Sequence, residues 1–218
     1  MSTLDLLLRD GESLDRLLLD PNTTGDVTRR LLLVSLLGLV THGLVLGISA
    51  VSLEQESAAV ILGMIVALSG AFVGALAICL PSFYFYTLLS GLDVSFRAVT
   101  AQALRVQATT SVYLLGVLPF YAALAFAGAL GVCARDAVLG GGLLMPFLTG
   151  LFGVHALYHS FRRLEPLIPR THRRAGGYLG RLVWCWAAVY LAVAPIALWR
   201  LGEAFGLDVP HYVARFLF

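Results

Sequence analysis

Five long apolar runs dominate the chain, and each can cross a bilayer as a helix, which takes about 20 predominantly apolar residues. The first runs from Leu31 to Ser52, directly after Arg29 and Arg30 and just before Glu54 and Glu56. The second, Ala58 to Leu92, is too long for one simple span and short for two with a turn. It is expected to form an interfacial lead-in of one or two turns and a tilted span ending near Ser90, kinked or opened at Pro81. A loop, Gly91–Val106, carries Asp93, Arg97 and Arg105. The third span is expected from Ala108 to Val132 with Pro119 near its middle. The fourth runs from Val138 to Phe161, opened by Gly140, Gly141 and Gly142, and the fifth from Leu182 to Trp199. The pattern therefore predicts an all-α, polytopic membrane bundle of about five helices over residues 31–200.

Two polar-flanked segments complete the pattern. Leu4, Leu7 and Leu8, then Leu14, Leu17 and Leu18, recur at helical spacing among Asp5, Asp10, Glu12, Asp15 and Asp20. Residues 1–30 are thus expected to form two short amphipathic helices separated near Gly11. Their apolar faces either pack on the protein's own inner face or dock on a partner or the membrane interface. The acidic start does not suit a cleavable signal peptide, which wants a basic start and an apolar core. Residues 201–218 form a mixed tail, expected along the outer surface.

Composition agrees with lipid as the solvent. Of all residues 59% are hydrophobic and 13% charged, against roughly 25% charged in soluble domains. All 15 basic residues are Arg. The net charge of +2 comes without a basic stripe carrying base-reading groups, so nucleic acid is not an expected partner. Arginine placement does carry information. Five spans put Arg9, Arg16, Arg29, Arg30, Arg97, Arg105, Arg162, Arg163, Arg170, Arg173, Arg174 and Arg181 on one side, leaving Arg135, Arg200 and Arg215 on the other. By the positive-inside rule the N-terminus is cytoplasmic and the C-terminus extracytoplasmic, in a cell inner (plasma) membrane. Tyr84, Tyr86, Trp184 and Trp186 mark the inner interface, and Trp199 the outer one.

Candidate chemistry is sparse. No Asp, Glu or Arg falls deep in a span, which argues against a coupled transporter and a paired-aspartate protease. His42 is read as a neutral histidine bonded to a neighbouring helix. His155 and His159 share one helix face at i, i+4, a spacing that can ligate a metal, but no third ligand is obvious. No cofactor and no metal site is therefore expected. Cys79, Cys133 and Cys185 lack a CxxC pattern and read as buried free thiols. Gly70 and Gly74 form a GxxxG, and Gly150 and Gly153 a second glycine face, for close helix packing. Polar residues near the inner ends of spans two and three, among them Ser82, Thr87, Gln102, Gln107, Thr109, Thr110 and Tyr113, suggest either interhelical hydrogen bonds or an inward-facing polar vestibule. The loop FRRLEPLIPRTHRRAGGYLGR holds Arg162, Arg163, Arg170, Arg173, Arg174 and Arg181. Its charge attracts anionic headgroups at roughly 1 kcal/mol per residue, and it offers a surface for a soluble partner.

The block CLPSFYFYTLLSGLDVSFRAVTAQALRVQATTSVYLLGVLPFY, Cys79 to Tyr121, combines a span ending in a polar loop, a Ser-Phe-Arg element and a span with a central Pro. It resembles a bacterial family of small five-span membrane proteins of unknown function, similar in layout to the Yip family (Ypt-interacting proteins). The resemblance extends from Leu4 through the last span. Eukaryotic Yip proteins serve membrane traffic and bind small GTPases through a cytoplasmic N-terminal region. The N-terminus here is far shorter, so GTPase binding does not carry over, and the family supplies no catalytic residues. The sequence thus favours a non-enzymatic inner-membrane scaffold or subunit that recruits cytoplasmic partners or lipid headgroups through residues 1–30 and the arginine loop, alone or as a homo-oligomer. The alternative is a small-molecule or lipid transport component with a cavity between the proline-kinked spans two to four. An intramembrane enzyme using His155 and His159 is the third and weakest reading.

Overall fold

Each apolar run forms one uninterrupted α-helix, in which the backbone's polar groups satisfy one another where lipid offers no partner. The computed structural model describes residues 3–8, 11–20, 22–54, 57–89, 94–164 and 176–210. Two short helices come first, α1 (Thr3–Leu8) and α2 (Gly11–Leu19). Then follow α3 (Thr24–Glu54), α4 (Ala59–Leu89), α5 (Phe96–Ala129), α6 (Arg135–Leu164) and α7 (Gly176–Ala204). The last five are long and apolar enough to cross a membrane, so the protein is an all-α, multi-pass bundle. The 31 residues of α3 extend about 46 Å, beyond the roughly 30 Å hydrocarbon core. The helices thus reach well past the apolar runs that mark them.

That overrun corrects several boundaries. Residues 94–106 are not all loop: α5 starts at Phe96, with Ser95 as N-cap accepting a hydrogen bond from the Ala98 amide at 3.3 Å. Arg97, Gln102 and Arg105 therefore ride on a helix, where a hydropathy boundary stops at the first charges. The second run is one helix from Ala59 to Leu89, helical through Pro81. Pro119, Pro146 and Pro195 likewise sit inside their helices.

The five long helices close a ring. α3 packs on α4 and α5, α4 on α7, α5 on α6, and α6 meets α7. Close approach is made at glycines other than the expected pair. A Cβ at Gly43 would lie 2.9 Å from the Ile65 Cα, and one at Gly47 would lie 2.7 Å from the Ile61 Cα. Gly43 and Gly47 are thus the GxxxG that seats α3 on α4. At Gly74 a Cβ would meet nothing within 4 Å, and at Gly70 only the tip of Leu201. Of the span-four pair, Gly153 presses on the Val106 carbonyl, whereas Gly150 faces open space.

Aromatic packing fills the ring near α4 and α7. Trp186 lies 4.6 Å from Phe83 and stacks on Tyr190 at 5.6 Å. It is 1% exposed, so it is a core residue rather than an interface marker, while Trp184 and Tyr86 do face outward. Among the cysteines only Cys79 is buried; Cys133 is partly exposed and Cys185 exposed, and all three are free. After α7, Gly206 (φ 73°) reverses the chain. Leu207 and Val209 then tuck into the core beside Gly63 and Gly202, so the start of the tail is part of the bundle. Residues 211–218 lie outside the described residues.

Interhelical polar bonds tie the ring together. The Gln107 Nε2 donates to the Phe72 carbonyl at 3.0 Å and to the Tyr190 hydroxyl, joining α5, α4 and α7. Ser111 Oγ donates to the Ser35 carbonyl at 2.8 Å, joining α5 and α3. His42 Nε2 lies 2.8 Å from the Gly142 carbonyl on α6. A carbonyl only accepts, so Nε2 carries the proton, and the expected bond from His42 to a neighbouring helix is what the structure shows. Interhelical bonds of this kind contribute about 0.6 kcal/mol on average in membranes. Gln107→Leu is accordingly expected to lower unfolding stability by about 1 kcal/mol or less. Denaturation in mixed micelles measures it, and a loss several times larger would show that this bond is not an ordinary one.

Candidate functional site

The amphipathic N-terminus folds onto one end of the bundle, called the capped end below. Leu14 and Leu18 of α2 are fully buried, which stabilises the docked helix by about 1.5–3 kcal/mol per side chain. The α2–α3 junction is stitched by two threonines. Thr23 Oγ1 donates to the Leu17 carbonyl at 2.7 Å, and Thr24 Oγ1 to the Asp20 carbonyl at 2.5 Å. Thr24 Oγ1 also reaches the Leu18 carbonyl at 3.1 Å, so the threonines satisfy the Leu17 and Leu18 carbonyls that the short helix leaves open at its C-terminus. Of the two readings of this segment, packing on the protein's own body is the one realised.

Docking buries a charge that helical periodicity alone cannot place. Asp15, one residue beyond Leu14, is 5% exposed, and Arg105 of α5 is 4% exposed. Arg105 Nη1 pairs with Asp15 Oδ1. The same oxygen accepts from Ser160 Oγ of α6 at 2.5 Å and from Gln102 Nε2 of α5 at 3.3 Å. Asp15 Oδ2 faces Arg163 Nη1 of α6 at 3.3 Å. One carboxylate thus gathers four donors from two spans. The pair lies towards the capped end, with Asp15 on α2 and Arg105 in the first third of α5, so the middles of the spans stay free of it. Arg105 sits well inside α5, and its counter-charge arrives from a separate helix 90 positions earlier. A buried charge needs such a partner, because desolvation costs several kcal/mol per ion.

Gly11, the first residue of α2, is where the guanidinium groups pass. A Cβ there would stand 2.7 Å from Arg105 Nη2 and 3.3 Å from Arg163 Nη1. Arg105 Nε and Thr109 Oγ1 are buried with no hydrogen-bond partner among the described residues. Thr109 lies one turn along α5 from Arg105 and lines a cleft of about 120 Å³ with Leu7, Val112, Tyr113, Phe152, His155 and Ala156. Tyr113 and Phe152 stack at 4.6 Å. A second, open cleft of about 740 Å³ lies between the N-terminal helices and α3, rimmed by Arg16, Asn22, Asp26 and Arg30.

The residues proposed for a vestibule do not share one wall. Gln107 faces α4 and α7, as described. Thr110 Oγ1 donates to its own helix at Val106 and abuts Gly153 of α6. Ser82 and Thr87 bond back to Cys79 and Phe83 on α4, and Tyr113 faces outward. Of the arginine group, Arg163 joins the Asp15 cluster, Arg162 stands 5.8 Å over the Tyr158 ring, and Arg181 is exposed. Arg170, Arg173 and Arg174 lie outside the described residues. His155 and His159 place their Nε2 atoms 3.1 Å apart. Among the described residues no third His, Cys, Asp or Glu joins them as a metal ligand.

Sequence reasoning named Asp15, Gln102 and Arg105 only as members of polar segments and did not single out Ser160. A signal was available: Gln102, Arg105 and Thr109 follow at i, i+3 and i+7, one helical stripe. No family model, no curated protein and no solved structure matches this chain.

Proposed function

We propose that the protein is a non-enzymatic membrane scaffold or subunit whose capped end recruits lipid headgroups or a soluble partner. One observation carries this reading: the capped end is built from charge. Among the described residues Arg16, Arg29, Arg30, Arg97, Arg105, Arg162, Arg163 and Arg181 gather there, and Arg135 and Arg200 lie at the other end. By the positive-inside rule this asymmetry supports a cytoplasmic N-terminus in a cell inner or plasma membrane. It also presents arginines to the more anionic leaflet. The Yip-like layout of the block from Cys79 to Tyr121 agrees with a role in organising a membrane assembly. Of the residues proposed for a transport cavity, Ser82, Thr87, Gln107 and Thr110 are instead engaged in helix-to-helix and within-helix bonds, and Tyr113 faces outward.

The test is purification in mild detergent followed by native mass spectrometry of the intact protein. The expected spectrum shows a stoichiometric protein partner or retained anionic lipid. Arg162→Gln, Arg173→Gln and Arg174→Gln combined should reduce that occupancy several-fold without unfolding the bundle. A protein carrying a specific small metabolite, retained equally by the triple variant, would overturn the reading in favour of transport.

A further inference from the structure

We propose that the pocket now filled by Asp15 is a binding site for the phosphate of an anionic phospholipid, and that the N-terminal helices occupy it as a built-in substitute for that lipid. The inference rests on the headgroup reading above and gives it a location, a ligand class and a competitor.

The donor set suits a phosphate at least as well as a carboxylate. Two guanidinium groups, a hydroxyl and an amide N–H converge from α5 and α6 on one small acidic group. Arginine forks pair with phosphate oxygens as readily as with carboxylates. Asp15 has two oxygens for these donors and leaves Arg105 Nε without a partner. A phospholipid phosphodiester carries the same single negative charge as Asp15 on two non-bridging oxygens, and its tetrahedral ester oxygens add acceptors in directions a planar carboxylate lacks.

The cleft beside the pocket, about 120 Å³, has room for the first few atoms beyond the phosphate. Arg105, Thr109 and Val112 or Tyr113 follow at one-turn intervals down α5, and Ser160, Ala156 and Phe152 do so on the facing α6. The cleft thus begins about 5 Å from the donors and runs along the same two faces. It ends on the exposed Tyr113–Phe152 stack, where an acyl chain leaves the bundle for lipid. The unpartnered Thr109 hydroxyl lies between, at the level of a glycerol ester carbonyl. In the present structure Leu7 of α1 lines the cleft while Asp15 of α2 fills the pocket. Apolar and anionic parts of the N-terminal arm thus take the places of an acyl chain and a phosphate. Free phosphate has the charge but nothing to occupy the cleft, which favours the lipid.

The test titrates the full-length protein in detergent with phosphatidylglycerol or phosphatidylcholine and reads bound lipid by native mass spectrometry. Asp15→Asn removes the competing charge and is expected to bind phosphatidylglycerol about tenfold more tightly than wild type. Asp26→Asn makes the same charge change at the surface pair with Arg30 and should stay within twofold. Adding Arg105→Gln to Asp15→Asn should abolish the gain. A gain absent in Asp15→Asn, or equal in Asp26→Asn, overturns the proposal. If wild type and every variant bind phosphatidylglycerol alike, headgroup recruitment stands and this site falls; if none prefers it to phosphatidylcholine, both fall. Millimolar inorganic phosphate that displaces the lipid completely would reassign the pocket to a soluble anion. Should Asp15→Asn fail to fold, a Leu7→Cys, Ala156→Cys pair answers the same question. Phosphatidylglycerol should slow disulfide trapping of the arm severalfold relative to phosphatidylcholine, and equal rates overturn the proposal.

Discussion

Arg105→Ala and Asp15→Ala are each expected to destabilise the bundle by about 3–5 kcal/mol, the usual cost of stranding one member of a buried ion pair. Asp15 without Arg105 keeps Gln102, Ser160 and the half-exposed Arg163 as donors, yet loses its one fully buried counter-charge. Arg105 without Asp15 is the worse case, since no second carboxylate is described beside it. The double variant Asp15→Ala, Arg105→Ala should therefore lose far less than the sum of the singles, with a coupling above 1 kcal/mol in the double-mutant cycle. Arg163→Ala should cost under about 1 kcal/mol, because its side chain is 48% exposed and screened by solvent. Protease cleavage near Arg16 provides a local readout beside global unfolding. It should rise sharply in Asp15→Ala and hardly at all in Arg163→Ala. Additive single effects would show that the pair is not the clamp for α2.

Gly38→Val is expected to be the most damaging substitution at a glycine of the spans. A Cβ at Gly38 would fall 2.5 Å from the Ser111 Cβ and 2.9 Å from the Ser111 Cα and carbonyl oxygen. The obstacle is largely backbone, so no rotamer change relieves it. α3 and α5 must separate, breaking the Ser111 to Ser35 hydrogen bond beside the contact. Overpacking costs typically 1–3 kcal/mol where side chains can yield, and more is expected here. Gly47→Val should behave similarly against Ile61 of α4, whereas Gly74→Val, with open space around it, should fold normally. Folded yield from detergent extraction and thermal unfolding separate the three. A Gly38 variant as stable as Gly74→Val would mean that α3 and α5 do not approach as described.

Some of this architecture was legible in the chain before any tertiary contact was known. Continuous apolar runs can only be solvated by lipid or by one another, and helix is the form that satisfies their backbone internally. That reasoning yields five spanning helices and two short leading helices near Gly11, as found. It also yields a His42 bonded to a neighbouring helix. Helix ends were less legible. Hydropathy registers the passage from apolar to charged residues, whereas α5 continues through Gln102 and Arg105, whose polar groups find partners inside the fold.

Pairing was decided by tertiary structure alone. GxxxG occurs both at Gly43–Gly47 and at Gly70–Gly74, and only the first meets another helix's backbone, because which face turns inward depends on the neighbours. Trp186 reads as an interface aromatic by position along its span, yet the rotation of α7 stacks it between Phe83 and Tyr190. Asp15 belongs to an acidic stretch that suggests a solvated face. It is buried because α2 docks through Leu14 and Leu18, which carries the neighbouring carboxylate onto Arg105 and Ser160, residues 90 and 145 positions away. Local pattern determines what each segment is; a buried charge is settled only by what another segment brings to it.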